Sequence, residues 1–449
     1  MSCGTGVACE SGCYRGEYSV DGDGDKRNPV EVEGEGFGFS SPRPDCSGNI
    51  CVKCKVGETI AVTHPSVGGG DSGKFCYGCF RSNLFGKFRF AVTSNAMISP
   101  SDHVLVAFSG GTSSRVALQF VHEIQQKAQK NHDASRDRSL SVFEVGVAYI
   151  DESTVYSDVL DSAIGDMKVT VSSLTPPAKK FFVVPTESIY TCEKENLSKL
   201  LGAVGDPTGK EDLLKHIRML SLQKVAVENG YTKIVLGTCT SRIARHVLEE
   251  TVKGKGFSLS ADIQYVDARW KIPVVLPLRD CLCAELSMLC IIDRLKTVSI
   301  QRPLSGGING LISSFVELLK EENPSRESTI MRTAVKLAPF TFNSIPLDDG
   351  DCLAASKWRR RQKKYNAKTD SSRAPTSYCI ICSSPLKMTA AADDVCSSCR
   401  YQILPQDPSL VESFVSLLPR SMATAESSYV VGRELLREQI QDLLLSDCD

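Results

Sequence analysis

Short apolar runs alternate with longer amphipathic segments from Ser101 onward. The run Val104–Phe108 is wholly apolar and has the length of a strand, as the central strand of a parallel sheet requires. From about Ser114 to Lys130, apolar residues recur with helical spacing, which predicts an amphipathic helix. Because strands separated by helices are typical of a doubly wound parallel sheet, the pattern predicts an α/β fold.

The same alternation continues through the central part of the chain. Further strands are predicted over residues 142–150, 181–184, 233–236 and 274–276, and helices over residues 193–201, 211–229, 241–253, 280–296 and 308–322. We therefore predict one Rossmann-like α/β domain over residues 96–345.

Segments of different composition flank this domain. Residues 1–45 are rich in Gly, Asp and Glu and offer little apolar surface to bury, which predicts a disordered tail. Residues 346–376 are polar and basic and predict a linker or an exposed helix. Cysteine-rich modules are predicted over residues 46–95 and 377–449, and the second should end in an amphipathic helix over residues 432–445.

The bulk properties limit the classes of partner. The 449-residue chain carries a formal net charge of -1, so any contact with nucleic acid must depend on local basic patches. No apolar run approaches the roughly 20 residues of a membrane span, and the N-terminus lacks the order of a signal peptide. We expect a cytoplasmic protein without a membrane partner.

Nineteen cysteines are present, and in a large cytosolic chain paired cysteines more often hold metal than disulfides. Eight of them form four Cys-x-x-Cys pairs, at Cys51 and Cys54, Cys76 and Cys79, Cys379 and Cys382, and Cys396 and Cys399. Two such turns complete a closed tetrahedral site, so two structural Zn²⁺ sites of zinc-ribbon type are predicted. Iron–sulfur clusters and free or redox-active thiols are alternatives that spacing alone does not exclude.

A glycine loop follows the first apolar strand and opens the first helix. It reads Ser-Gly-Gly-Thr-Ser-Ser over residues 109–114. Glycines let backbone N–H groups close on an anion, and the helix N-terminus adds partial positive charge. Ligands of open α/β sheets bind beyond the carboxyl ends of the strands, so this position favours a phosphate site.

This loop resembles that of the PP-loop ATP pyrophosphatase superfamily, which reads Ser-Gly-Gly-x-Asp-Ser. Ser109, Gly110, Gly111 and Ser114 match, whereas Ser113 stands where the family has aspartate. The resemblance covers most of the chain and implies the fold of that superfamily. It also implies ATP as a ligand that these five residues could still bind.

Two further motifs of the superfamily are missing. Catalytic members carry a Gly-His-Asn-x-Asp-Asp motif after the fourth strand, where residues 237–242 read Gly-Thr-Cys-Thr-Ser-Arg. Thiolating members carry a Cys-x-x-Cys pair before the preceding helix, where residues 210–215 read Lys-Glu-Asp-Leu-Leu-Lys. Cys239 has no partner in this pattern, which favours a structural thiol, with a persulfide carrier as the alternative.

Residues 238–242, 261–270 and 273–279 instead resemble the non-catalytic branch of the eukaryotic tRNA thiolases, and we expect a plant source. In that family ATP adenylates the C2 oxygen of the wobble uridine, and sulfur from a thiocarboxylated ubiquitin-related modifier displaces AMP. The resemblance implies a heterodimer with the catalytic paralogue. It also implies a part in the 2-thiolation (mcm5s2U34) of cytosolic tRNAs for Lys, Glu and Gln.

The chemistry of the family needs acidic side chains to place Mg²⁺ and thiolates near the activated carbon. The chain lacks both sets, so we predict a pseudo-enzyme subunit with no catalytic residues of its own. One alternative is an active tRNA-adenylating sulfurtransferase in which Ser113, Asp151 or Asp262 replaces the missing acids. Another is a zinc-ribbon interaction protein without a nucleotide role.

Basic residues near these motifs are candidate tRNA contacts, since phosphate neutralisation requires local positive charge. The candidates are Arg81, Lys87 and Arg89 after the first cysteine set, Arg242 and Arg245 after the fourth strand, and Arg359, Arg360 and Arg361 in the basic linker.

Overall fold

The computed structural model describes residues 50–63, 73–134, 141–156, 161–190, 195–298, 306–337, 378–386 and 394–419. The predicted acidic tail, basic linker and terminal helix lie outside these residues. No helix among the described residues is long and apolar enough to cross a membrane.

A six-stranded sheet forms the centre of the fold. Its strands are β3 (His103–Ala107), β4 (Glu144–Asp151), β5 (Lys180–Pro185), β6 (Lys233–Val235), β7 (Val266–Asp267) and β8 (Val274–Val275), and a separate hairpin joins β1 (Ala61–Thr63) to β2 (Gly73–Phe75). The order across the sheet is β5-β4-β3-β6-β8-β7. All neighbours pair in parallel except β7, which runs antiparallel to β8 at the edge.

Helices cover both faces of this sheet. They are α1 (Tyr77–Ser94), α2 (Thr112–Ala134), α3 (Asp161–Ser172), α4 (Asn196–Ala203), α5 (Pro207–Glu228), α6 (Thr240–Val252), α7 (Gly256–Asp262), α8 (Cys283–Ile292), α9 (Gly307–Glu322) and α10 (Arg326–Ala334), followed by α11 (Ser397–Gln402) and α12 (Pro408–Leu417). A 3-10 turn over Thr186–Ile189 follows β5.

The two faces of β3 belong to different hydrophobic cores, because successive side chains of a strand point to opposite sides. Val104 and Val106 pack in a core with Phe120 of α2, whereas Leu105 packs in a second core with Ala226 of α5. All three strand residues are fully buried. The doubly wound α/β fold predicted from the sequence is thus confirmed.

The cysteine-rich segments at both ends pack directly on this domain. Phe80 and Phe88 of α1 are fully buried in the same core as Phe120, and Phe88 meets Phe120 edge to face with ring centroids 5.3 Å apart. Cys379 and Cys399 share a third core with Leu213 and other residues of α4 and α5. Each module therefore relies on α/β-domain residues for its hydrophobic contacts.

Short elements account for the main differences from the sequence pattern. β7 contains only two residues, too few to produce an alternating pattern, and it was not predicted. The helix expected over residues 280–296 begins only at Cys283, because Arg279 and Cys281 form turns through their backbone N–H groups. α3 and α10 were not predicted either.

A close backbone contact occurs where β6 ends. Gly237 follows β6 and passes against the first turn of α2, so that a Cβ atom at this position would lie 2.7 Å from both Cα and N of Ser114. Real Cβ atoms do not approach this closely, and backbone atoms cannot rotate away as a side chain can. Glycine is therefore required at this position.

We expect Gly237→Ala to lower the free energy of unfolding by about 1–3 kcal/mol, because the overpacked backbone must shift. The matched control is Gly202→Ala in α4, where an added Cβ would meet no atom within 4 Å. That change should be neutral or stabilise the protein by about 0.5–1 kcal/mol. Urea-induced unfolding of the full chain measures both, and equal effects would contradict the proposed contact.

Candidate functional site

The glycine loop lies at the topological switch point of the sheet. β3 pairs with β4 on one side and with β6 on the other, and the chain passes from β3 to β4 before it returns to β6. The loop after β3 therefore lies at the crevice where the strand order reverses. Gly110 adopts φ +79°, a left-handed conformation that favours glycine. The Ser114 hydroxyl donates to the Gly111 carbonyl oxygen at 2.9 Å and lies 3.2 Å from the Ser109 hydroxyl.

This loop is packed against other parts of the chain. The Val298 N–H donates to the Gly110 carbonyl oxygen at 2.9 Å. A Cβ at Gly110 would lie 2.9 Å from Val298 Cβ and 3.4 Å from Met167 Sδ. A ligand that approached Gly110 from this side would have to displace Val298.

The side chains considered as replacements for the missing acids are separated and engaged. Ser113 is buried within α2, and the Asp151 carboxylate accepts hydrogen bonds from the Ser153 N–H at 3.0 Å and the Ser153 hydroxyl at 3.1 Å. Asp262 forms a very short ion pair with Arg269 and lies 3.2 Å from His246 Nε2. Burial opposes ionisation of Asp262. The charge of Arg269, which is the largest favourable contribution, nevertheless holds the pKa of Asp262 well below its usual range.

A cavity of about 1150 Å³ lies between α5, α6 and the carboxyl ends of β6 and β8. Leu236, Thr238 and Leu276 line it at the carboxyl ends of the strands, and Arg242 lines it from α6. Trp270 contributes an aromatic surface and lies 5.3 Å from the His216 ring, centroid to centroid. The cavity thus combines an apolar floor and an aromatic surface with walls that carry both basic and acidic side chains.

Paired charges line the wall formed by α5. Asp212 accepts hydrogen bonds from Lys253 Nζ at 2.7 Å and 2.9 Å and from Lys255 Nζ at 3.0 Å. Lys253 Nζ also lies 2.8 Å from Glu250, and its side chain is completely buried. Asp212 therefore belongs to a buried ion cluster that joins α5 to α6. It lies in residues 210–215, the segment that lacks the Cys-x-x-Cys pair of thiolating members of the PP-loop superfamily.

Three neighbouring side chains, His246, Glu249 and Glu250, have donor atoms close enough together to hold a metal ion. Lysines already neutralise both carboxylates, since Glu249 lies 3.0 Å from Lys215 Nζ and Glu250 lies 2.8 Å from Lys253 Nζ. These residues therefore form part of the ion cluster and do not make a good cation site.

The first four-cysteine cluster brings together Cys51, Cys54, Cys76 and Cys79, whose sulfur atoms all lie within 4.8 Å of one another. Cys54 Sγ accepts a hydrogen bond from the Gly57 N–H at 3.4 Å, and a Cβ at Gly57 would lie 2.7 Å from Cys76 Cβ. Although burial opposes it, backbone N–H groups lower the pKa of Cys51 to about 6. The turn is built to favour thiolates.

The second cluster repeats this arrangement with Cys379, Cys382, Cys396 and Cys399. Cys396 Sγ accepts a hydrogen bond from the Cys399 N–H at 3.5 Å at the start of α11. Ser383 has φ +54°, and its N–H donates to the Cys379 carbonyl oxygen at 2.8 Å, which closes the turn between the first two cysteines.

Both clusters fit a tetrahedral metal. Bond lengths of about 2.3 Å from Zn²⁺ to sulfur imply that neighbouring sulfur atoms lie about 3.8 Å apart. The observed distances are 3.7 Å between Cys54 Sγ and Cys76 Sγ and 3.7 Å between Cys382 Sγ and Cys396 Sγ. Each group of four thiols can therefore bind one metal ion.

The basic candidates fall into two groups. Arg81 is ion-paired with Glu123 at 2.5 Å and Asp293 at 2.9 Å, and Lys87 is buried with its Nζ 3.4 Å from Glu285. Arg89 and Arg242 are exposed, and Arg245 is half-buried with its Nη2 3.6 Å from Glu317. Arg242 and Arg245 both line the cavity. Arg359, Arg360 and Arg361 lie outside the described residues.

Known proteins identify the family. The sequence is 52% identical over the full chain to cytoplasmic tRNA 2-thiolation protein 2 of Arabidopsis thaliana, covering 99% of that protein. It is 46% identical to the protein of the same name from Oryza sativa subsp. indica, over 89% of each chain. The chain belongs to the cytoplasmic tRNA 2-thiolation protein 2 family. Identity to the Danio rerio member is 25%, over 68% of this chain and 71% of that one, so a plant source is consistent.

Two other comparisons add nothing further to this assignment. No family model matches the sequence. A solved structure of the U34-tRNA thiolase from Methanococcus maripaludis, with its [4Fe-4S] cluster, is 16% identical over 68% of this chain and 91% of that chain, with a TM-score of 0.48.

Cys283 is a residue of this family member that the sequence pattern did not single out. Cys239, expected to have no partner, lies near Cys283 at the start of α8, and each of the two thiols shifts the pKa of the other. The two residues are far apart in the chain, so neither spacing nor periodicity could reveal this pair. Hydrogen bonds bring the two segments together. The Thr240 N–H donates to the Cys281 carbonyl oxygen at 2.9 Å, the Thr240 hydroxyl to the Arg279 carbonyl oxygen at 2.7 Å, and the Cys283 N–H to the Ser241 hydroxyl at 3.1 Å.

We expect Cys379→Ser to lower the bound metal by one equivalent per chain, because a closed structural site needs all four ligands. Elemental analysis of protein purified without oxygen measures the loss. Cys290→Ser is the control, since this buried thiol in α8 lies outside both clusters and should leave the metal content unchanged. Equal metal content in the Cys379 variant and the wild type would contradict the site.

Proposed function

We propose that this chain is the non-catalytic subunit of a complex that thiolates the wobble uridine of cytosolic tRNAs for Lys, Glu and Gln. In this proposal it forms a heterodimer in the cytoplasm with the catalytic paralogue. A thiocarboxylated ubiquitin-related modifier supplies the sulfur to the complex. Family membership and the state of the phosphate loop support the proposal.

The observation that carries the proposal is the combination of an intact α/β frame with a loop closed against Val298. Phosphoryl chemistry needs a metal held where charge develops, and Asp262 and Asp151 are already engaged by neighbouring groups. A frame of this kind can hold a partner or RNA without turning over ATP.

We further propose Zn²⁺ as the metal of both cysteine clusters. The four-thiolate donor set and the distances of 3.7 Å between sulfur atoms support a closed structural site, in which the metal stabilises the fold and meets no substrate. Iron and labile sulfide in stoichiometric amounts would overturn this assignment in favour of an iron–sulfur cluster.

Among the basic candidates, we propose Arg89, Arg242 and Arg245 as the described residues that contact tRNA. Arg81 and Lys87 hold α1 against α2 and α8 through their ion pairs, so their charge is neutralised within the fold. The basic linker with Arg359, Arg360 and Arg361 stays part of the proposed surface. Arg242 and Arg245 line a cavity large enough for a nucleotide.

A face of α9 supports the proposed partner. Leu311, Phe315 and Leu318 recur at helical spacing on one side of α9 and are 73%, 50% and 61% exposed. Exposed apolar stripes of this kind mark protein–protein contacts more often than free surface. We assign this face to the catalytic paralogue.

The proposed subunit role predicts that the isolated chain releases no pyrophosphate from ATP in the presence of wobble-uridine tRNA, whereas the purified pair does. Phe315→Glu should weaken recovery of the paralogue at least tenfold, since it places a charge in the apolar contact. Glu321→Gln, at an exposed position of the same helix, is the control. Pyrophosphate release by the isolated chain at the rate of the pair would contradict the proposal.

The proposed tRNA surface predicts a change in salt dependence. Each lost phosphate contact reduces the slope of log affinity against log salt by about 1, so Arg242→Ala with Arg245→Ala should reduce it by about 2. Lys199→Ala on α4 is the control, because Lys199 forms only an exposed pair with Glu195. Titrations of the complex with labelled tRNA at several salt concentrations give the slopes, and an unchanged slope would remove these arginines from the surface.

A further inference from the structure

The α/β domain alone does not enclose the cavity between α5 and α6. The turn that joins the first two ligands of the second cysteine cluster, residues 379–384, reaches the cavity, and Cys382, Ser383 and Ser384 line its wall. We call this turn the second knuckle. Within the described part of the chain, the corresponding turn of the first cluster contributes nothing to this lining. The two cysteine clusters therefore share a ligand geometry but differ in their position relative to the cavity.

Packing against α5 fixes the second knuckle at this wall. Cys379 and Cys399 lie in the same hydrophobic core as Leu213 of α5. A Cβ atom at Gly209, in the first turn of α5, would overlap the carbonyl oxygen of Gln402 in α11, so the two backbones are in direct contact. The knuckle cannot leave the cavity wall without exposing this core.

Ser383 is the residue of the second knuckle whose side chain can meet a ligand. It adopts φ +54°, a conformation uncommon for residues other than glycine, and its N–H donates to the Cys379 carbonyl oxygen at 2.8 Å. Ser384 is buried, and its hydroxyl lies 3.2 Å from Cys382 Sγ. Ser383 is half-buried, and no described residue forms a hydrogen bond with its hydroxyl.

The other walls of the cavity indicate the chemistry of the ligand. Arg242 is exposed and has no acidic partner among the described residues, and Arg245 Nε is buried without a hydrogen-bond partner. Trp270 adds an aromatic surface. Cations bind phosphate, and aromatic side chains stack on bases that are not paired in a helix. A cavity of about 1150 Å³ exceeds the range of about 300–1,000 Å³ that is usual for small ligands, so it has room for a nucleotide.

We propose that the second knuckle is one wall of a site for an unpaired nucleotide of the tRNA, and that the Ser383 hydroxyl forms a hydrogen bond with this nucleotide. The inference rests on the proposed tRNA surface and extends it from the arginines of α6 to the C-terminal cysteine module. The bound metal keeps the turn closed and does not itself contact the RNA. Because the Ser383 contact is uncharged, its loss should weaken binding without changing the dependence on salt.

Titration of the metal-loaded complex with labelled tRNA at several salt concentrations tests the inference. Ser383→Gly removes the hydroxyl and places at this position a residue that adopts positive φ readily. We expect the affinity to fall about five- to tenfold, as for the loss of one hydrogen bond, with the metal content and the slope of log affinity against log salt unchanged.

Lys55→Gly is the matched control. Lys55 holds the same position in the turn of the first cluster, with φ +56° and its N–H donating to the Cys51 carbonyl oxygen at 2.9 Å, but it does not line the cavity. The backbone change is therefore the same, while the side chain lost is an exposed one. Since solvent screens such a charge, we expect the affinity for tRNA to change by less than about twofold.

Hydrogen exchange of the wild-type complex gives a second measurement, which decides the question even if Ser383→Gly loses metal. Bound tRNA should slow exchange in residues 378–386 and leave residues 50–58 unchanged. An unaltered affinity in metal-loaded Ser383→Gly, or equal exchange of residues 378–386 with and without tRNA, would overturn the inference. If the Arg242 and Arg245 variants reduce the salt slope while Ser383→Gly has no effect, this inference alone fails. If those arginine variants leave the slope unchanged, the proposed tRNA surface fails and this inference fails with it.

Discussion

The close contact between Gly237 and the first turn of α2 is the constraint on which the rest of the structure depends. Because Gly237 lacks a side chain, the end of β6 can lie against the backbone of Ser114, and the two central strands keep their carboxyl ends together. The direction of the chain after Gly237 then places Cys239 and Arg242. The position of Arg242 at the cavity follows from this one approach.

The α5 wall of the cavity carries charged groups that are paired with one another. Asp212 forms ion pairs with Lys253 and Lys255. Burial opposes its ionisation, but the charges of the neighbouring lysines, of which Lys255 contributes most, hold the pKa of Asp212 well below its usual range. A buried carboxylate paired in this way cannot also hold Mg²⁺ without leaving the lysines uncompensated. The ion cluster therefore stabilises the arrangement of α5 and α6 and at the same time removes it from metal chemistry.

The fold could be predicted from the sequence where local pattern and tertiary environment agree. Val104, Leu105 and Val106 of β3 are apolar and fully buried because helices cover both faces of the strand, and the apolar run in the sequence predicted this directly. The two cysteine clusters were also predicted, since the Cys-x-x-Cys turn encodes its own geometry. The roles of Arg81 and Lys87 could not be predicted, because their acidic partners on α2 and α8 lie far away in the chain.

The cysteines show why residue type alone does not decide a role. Cys281 and Cys283 are separated by one residue, yet burial raises the pKa of Cys281 above its ordinary value, while Cys239 and nearby cations lower the pKa of Cys283. Burial likewise raises the pKa of Cys290 to about 11. Of these three thiols, Cys283 is the one that is partly exposed and the one whose pKa is lowered. Burial and the charged groups around each thiol, set by the tertiary structure, therefore decide its pKa.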